Sequence, residues 1–147
     1  MENLEPPSDI TWSDRRAWFE DQIAEHQGHG SYLLSEQACA LMMETQACYC
    51  VGAWIAVMVL AYTVIDAQLS ETQAPGFEGN SAQLLRHLDF GHEYQQLRLR
   101  RNRIVHLCCD QPAITVDQQW GSRQALEVEA QAAVKLMLAA FFDAPGT

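Results

Sequence analysis

From Cys48 to Ile65 the chain runs eighteen residues without a charged side chain. No other feature narrows the fold as far. A helix that is apolar on nearly every face must be enclosed by other helices, by a second subunit or by lipid. The run sits at the lower length limit for a bilayer span. Its flanking charges are Glu44 and Asp66, and no Lys/Arg cluster marks a cytoplasmic side. Apolar spacing of the helical kind recurs in three other segments, so partner helices are available. The segment is therefore read as the buried helix of a bundle, with no membrane association.

The breakers divide the rest of the chain. Pro6-Pro7 keeps residues 1–12 a loose arm. Ser13 or Asp14 can cap a first helix that carries Trp18, Phe19 and Ile23 inward and ends at Gly28 and Gly30. A second helix starts near Ser35 and reaches about Leu69. Unbroken, it would be about 50 Å long at 1.5 Å per residue, so a kink or break near Gly52 is expected. Pro75-Gly76 and Gly79 make Ser70 to Asn80 a linker. Asn80 or Ser81 can cap a third helix, which continues to about Cys108 with Gly91 as a point of interruption. A loop from Asp110 to Gly121 surrounds Pro112, with Ile114-Thr115-Val116 as a short extended piece. Ser122 caps the last helix, where Ala125, Val128, Ala132 and Leu136 keep the 3–4 spacing as far as Phe142. The sum is an all-α, up-and-down bundle of four main helices. A single domain covers 13–143, between the arm and a tail at 144–147.

Charge limits function. Nineteen acidic residues against nine basic ones give a net charge of −10, which argues against a general polyanion binder. The distribution is uneven. Five arginines against Asp89 and Glu93 lie between Leu84 and His106, while the remaining residues hold four basic and seventeen acidic side chains. An acidic body with one basic segment points to a local anion site or, more plainly, to a solvated arginine face. The five cysteines (Cys39, Cys48, Cys50, Cys108, Cys109) are odd in number and lack C-x-x-C spacing. They read as free thiols in a reducing, cytoplasmic setting. The acidic, proline-bearing N-terminus has no basic region of the signal-peptide kind. No phosphate-cradling or dinucleotide fingerprint is present, so no cofactor is expected.

The chemically informative stretch is Tyr94 to Cys109, YQQLRLRRNRIVHLCC. Its core positions at helical spacing are Tyr94, Leu97, Arg101, Ile104 with Val105, and Cys108. Arg101 thus stands where an aliphatic residue belongs, and a guanidinium there needs a carboxylate, a phosphate or water. Arg98, Arg100 and Arg103 lie mostly off the stripe, as solvated residues or as contacts to an RNA backbone. Asn102 and His106 are four apart, one helical turn, and Arg101 adjoins Asn102. Histidine exchanges protons near neutrality, arginine holds phosphate oxygens through paired bonds, and asparagine orients either. These groups suffice to cut a phosphodiester through the neighbouring 2′-hydroxyl without metal. The competing structural reading is an ion-paired arginine and a satisfied histidine at a helix end.

Other candidates carry less. Glu25, His26 and His29 could form a metal pair only by spacing at a glycine-rich helix end. His87 and His92 read as exposed. Cys108-Cys109 reads as packing, and the four tryptophans as core or interface residues.

The run Leu99-Arg100-Arg101-Asn102-Arg103-Ile104-Val105-His106 resembles the R-x4–6-H signature of the HEPN superfamily, in its R-N-x-x-x-H form. Ala53 to Glu71, AWIAVMVLAYTVIDAQLSE, is similar to that family's hydrophobic helix with an acid near its end, here Asp66. The likeness spans roughly Ala40 to Phe142. It implies a HEPN-like four-helix bundle that dimerises so that two motifs face one cleft. It also implies metal-independent RNA cleavage leaving a 2′,3′-cyclic phosphate, as in toxins and defence effectors held by an antitoxin or other regulatory protein. The alternative is a catalytically silent module that binds RNA, a nucleotide or a protein. By the same likeness His106 is general acid or base, Arg101 binds the scissile phosphate, Asn102 positions, and Asp66 pairs with Arg101. The tyrosine that some members carry two residues after the histidine is Cys108 here.

Overall fold

The computed structural model describes residues 4–28, 32–107 and 110–143. Among them are seven helices and no β-strand. Helix α1, Asp9–Gln27, begins four residues before the expected cap, because Ser8 performs that role. Its hydroxyl oxygen accepts from the Thr11 N–H at 3.1 Å, directly after the two prolines.

The expected long helix is two helices. Ser35 caps α2, Glu36–Val51, by accepting from the Ala38 N–H at 3.1 Å. Gly52 then adopts φ +88°, and its N–H reaches the Cys48 and Tyr49 carbonyls at 3.0 and 3.1 Å. This left-handed cap ends α2 where a side chain would be strained and would meet Arg15. Helix α3, Trp54–Thr72, starts two residues later.

The third expected helix also divides. Asn80 and Gln83 form a reciprocal capping box that opens α4, Ser81–His87. The chain turns through Asp89 at φ +58°, and α5 runs from His92 to Val105. It stops short of Cys108, which with Cys109 lies outside the described residues. The expected extended piece at Ile114–Val116 gives way to a short helix, α6, Val116–Gly121. Thr115 and Gln118 form a second capping box there, which settles the local backbone as helical. Helix α7, Arg123–Phe141, ends as expected, although the Ser122 hydroxyl makes no capping bond. Four main helices thus become five long and two short ones.

Side-chain contacts fix the directions. Ser35 at the start of α2 meets Gln68 near the end of α3, while Tyr49 near the end of α2 meets Trp54, so the two helices are antiparallel. Gln68 also reaches Phe141 at the end of α7, and Arg123 at its start reaches Gly52, so α7 runs parallel to α3. Arg15, early in α1, reaches Cys50 late in α2, which sets those two antiparallel. Helices α1, α2 and α3 therefore alternate in direction along the chain, and α7 returns parallel to α3. Helix α3 is the centre, packed against α2, α4, α5 and α7. It is long and apolar enough to cross a membrane by length and composition. In the bundle one side of it is buried, with Val57, Ala61, Val64 and Ile65 fully so, while Ile55, Val59 and Leu60 on its other side are half-buried.

The core around α3 is aromatic at one end and amide-locked at the other. Tyr49 stacks on Trp18 at 4.8 Å and meets Trp54 edge-on at 5.2 Å. At the far end the fully buried Gln68 accepts from the Ser35 N–H at 2.9 Å and donates to the Leu33 and Phe141 carbonyls at 2.8 and 3.3 Å. One amide ties together the α1–α2 connection, α3 and the end of α7.

Candidate functional site

Helix α5 lays its inner stripe on α3 as the spacing predicts, except that Val105, expected beside Ile104 on the core side, is 46% exposed at the last position of the helix. Leu97 is buried, and Tyr94, Arg101 and Ile104 are half-buried on the same side. Arg101 therefore approaches the middle of the apolar helix. Its guanidinium carbon lies 5.0 Å from the centre of the Tyr62 ring, a cation–π contact. Tyr62 is buried, and that burial pushes its phenol up to about 12, so the ring stays neutral under the cation. The Arg101 Nε is buried without a hydrogen-bond partner.

The pair expected between Arg101 and Asp66 is not formed. Tyr62 and Asp66 stand one turn apart on α3, and Arg101 meets the turn of the ring. Asp66 faces the first residue of α4, and the Ser81 hydroxyl donates to its Oδ1 at 2.9 Å. Its other surroundings are Gln37, Thr63, Ser70 and Glu71 along a shallow groove. The acid thus sits at a helix start, where a hydroxyl and the local backbone dipoles favour it, and the aromatic face takes the cation.

His106 lies just beyond α5. Its N–H still bonds the Asn102 carbonyl at 2.9 Å, so its Cα keeps the helical register one turn above Asn102. Its φ of −129° and ψ of 125° turn the backbone to extended there, and the residue is exposed. The expectation that both side chains project from one continuous helical turn is corrected to this extent. By helical spacing Leu99, Asn102 and His106 share the outward stripe of α5, with Val105 and Arg98 on its flank. Leu99 is 43% exposed and Val105 46% exposed, so this stripe carries apolar surface next to the polar motif. The main grooves among the described residues of one chain do not bring Arg101 and His106 together. The groove at the end of α5, about 590 Å³, is walled by Arg103, Ile104, Leu107 and Ile114 instead.

The remaining arginines divide by surroundings. Arg100 is committed internally: it pairs with Glu129 of α7 at 3.1 Å and reaches the Ala113 carbonyl at 3.4 Å. Arg98 is held by Gln95 at 2.9 Å, and Gln95 in turn anchors to the Ala82 carbonyl. Arg103 is exposed. Of the three residues expected to meet an RNA backbone, Arg103 is the most available and Arg100 the least.

Other sequence candidates resolve simply. His26 Nδ1 lies 2.8 Å from the Gln22 carbonyl, while His29 lies outside the described residues. No group of three or more metal-ligating side chains occurs among the described residues. His87 stacks on Phe77 at 4.9 Å. Cys50 is buried, and desolvation raises its thiol above the ordinary range.

Sequence reasoning missed Tyr62 and Ser81, the two side chains that hold Arg101 and Asp66 apart. The available signal was a tyrosine one turn before Asp66 in a mostly apolar run. It also missed Arg15 and Arg123, which both sit over Trp54. Against known proteins, the chain matches no family model, no curated protein and no solved structure.

Proposed function

We propose that this chain is a HEPN-like helical module that cleaves RNA without metal, its site completed by a second copy of the chain. The observation that carries the reading is the placement of the motif. Arg101 is fixed from the core side against Tyr62, Asn102 is half-exposed beside it, and His106 is exposed one turn on. Arg101 has no carboxylate partner among the described residues, and an RNA phosphate would supply its anion. In the reaction the 2′-oxygen attacks phosphorus and the 5′-oxygen leaves. One His106 imidazole takes the 2′-hydroxyl proton, and the other supplies a proton to the departing oxygen. The product is a 2′,3′-cyclic phosphate. Arg101 stabilises charge on the non-bridging oxygens, and Asn102 positions substrate or imidazole. The exposed Leu99 and Val105 beside the motif supply apolar surface for docking two copies. Arg103 is the foremost backbone contact. A cytoplasmic toxin or defence effector restrained by an antitoxin is the setting this chemistry suits.

A specific observation favours a second reading, a silent module that binds RNA, a nucleotide or a protein. Among the described residues the grooves near α5 are lined by Arg103 and Ile104 or by Arg100 and not by Arg101 with His106, and Arg101 rests on an aromatic face. The decisive experiment incubates the purified protein with RNA and EDTA. The nuclease reading expects cleavage that survives the chelator and disappears in His106→Ala. Intact RNA over varied substrates, with binding retained, selects the silent module.

A further inference from the structure

A second cationic site lies at the start of α3, built from residues outside the motif and independent of the RNA reading. Arg15 of α1 and Arg123 of α7 both lie over the buried Trp54 ring, their guanidinium carbons 4.9 and 5.9 Å from its centre. Arg15 Nη1 donates to the Cys50 carbonyl at 3.2 Å. Arg123 Nη1 donates to the Gln119 carbonyl at 3.4 Å, and its Nη2 to the Gly52 carbonyl. These bonds occupy one donor of Arg15 and two of Arg123, out of five on each guanidinium. Neither arginine has a carboxylate within 4.0 Å among the described residues, although the chain holds nineteen acidic side chains. Burial lowers the Arg123 pKa first, and the charge of Arg15 lowers it further.

The two cations close different carbonyls, those of Cys50 and Gly52, and their like charges over one indole repel, offset in part for Arg123 by the more distant Glu127. The two arginines also line a pocket of about 340 Å³. Its opposite walls are apolar: Pro6, Pro7, Val51 and the indole of Trp120, which is 46% exposed. Glu5 also lines it and pairs with neither arginine.

We propose that this pocket binds a small organic anion, its phosphate or carboxylate seated between Arg15 and Arg123 and its apolar body against Trp120 and the Pro6-Pro7 wall. Paired guanidinium donors match the geometry of either head group, and a flat indole wall suits a ring or short hydrocarbon.

The test titrates the full chain with phenyl phosphate, benzoate and inorganic phosphate, following the indole N–H resonances of all four tryptophans. Saturable shifts at Trp54 and Trp120, with Trp12 and Trp18 unmoved, are expected for an organic anion. The tighter of phenyl phosphate and benzoate identifies the head group. Inorganic phosphate should bind about tenfold or more weakly, for want of the apolar contact. Arg15→Gln and Arg123→Gln should each weaken binding about tenfold, and Glu5→Gln should tighten it by removing a like charge. The absence of saturable shifts at Trp54 and Trp120 with both organic anions overturns the proposal without recourse to any variant. Unchanged affinity in both folded glutamine variants overturns it equally. Equal affinity for phenyl phosphate and inorganic phosphate removes the apolar half of the site.

Discussion

Gln68 and Arg101 both bring polar groups against the apolar helix α3, and they are treated in opposite ways. Gln68, near the end of α3, is fully buried and has its amide engaged by three backbone groups, two from the α1–α2 connection and one from the end of α7. Arg101 enters from α5 at the middle of α3 and rests on Tyr62 with its Nε unpaired. A buried polar group whose bonds are all internal serves architecture, because any change leaves its partners unsatisfied. One left with unspent hydrogen-bonding capacity is the better candidate for a ligand, since an incoming anion gains what the fold has not used. The contrast assigns stability to one end of α3 and chemistry to its middle.

The sharpest way to break that contrast is to delete Arg101. Arg101→Ala should reduce RNA cleavage by about 10²–10³-fold, the scale of losing a charge-stabilising donor in a transition state. Its unfolding free energy should change by no more than about 1 kcal/mol, the worth of one cation–π contact. A destabilisation of several kcal/mol with no change in RNA chemistry would make Arg101 a structural residue like Gln68.

Gln68→Leu is the converse. It removes the partner of the Ser35 N–H and of two carbonyls, and should cost about 3 kcal/mol at about 1 kcal/mol or more for each orphaned group. Denaturant unfolding measures this, and a loss below about 1 kcal/mol would show that water replaces the amide and that α3 is not locked at that end.

Titration of the Tyr62 ring offers a smaller and more local probe. Its phenol is raised from 10 to about 12 by burial. The unfolded chain therefore releases this proton first as pH rises. The folded state loses stability progressively between pH 10 and pH 12, while below pH 10 the contribution is complete. Tyr94, likewise raised to about 12, adds to the same slope. Tyr62→Phe should flatten the fall in thermal midpoint over that window while keeping the ring under Arg101. An unaltered slope would mean that the phenol is not withdrawn from water as the packing shows.

The smallest effect belongs to Arg100. Its pair with Glu129 is partly solvated, with side chains 31% and 46% exposed. Glu129→Gln should cost at most about 1 kcal/mol, decreasing with salt. If the freed Arg100 then strengthens RNA binding, this ion pair is what withholds Arg100 from the nucleic-acid surface.

The sequence made several features legible by local rules. The charge-free run located the central helix, and Gly52 its break, since left-handed backbone at a helix end is where glycine is favoured. The stripe Tyr94, Leu97, Arg101, Ile104 was readable because helical spacing sets which side chains share a face. Local signals also misled where two were available. Ile114-Thr115-Val116 reads as extended by its β-branched residues, yet Thr115 and Gln118 cap a helix there. The start of α1 was placed late because the cap at Ser8 stands immediately after prolines that suggest irregular chain.

The partnerships of the candidate site were beyond such rules. Arg101's position on the stripe demanded some compensation for its charge, and only packing decided between Asp66 and the Tyr62 face. Ser81, fifteen residues from Asp66 in the chain, decided the acid's partner once α4 folded over α3. Gln68's three bonds likewise draw on segments up to seventy-three residues away.

What the amino-acid order settled by itself was the helical character of the chain, most of its breaks and the face on which the key arginine would stand. These follow from short-range sterics, capping and periodicity. Which group each charged or amide side chain would meet was decided only when α3 was surrounded, because hydrogen bonds and ring contacts between distant segments depend on ångström-scale placement that no local pattern encodes.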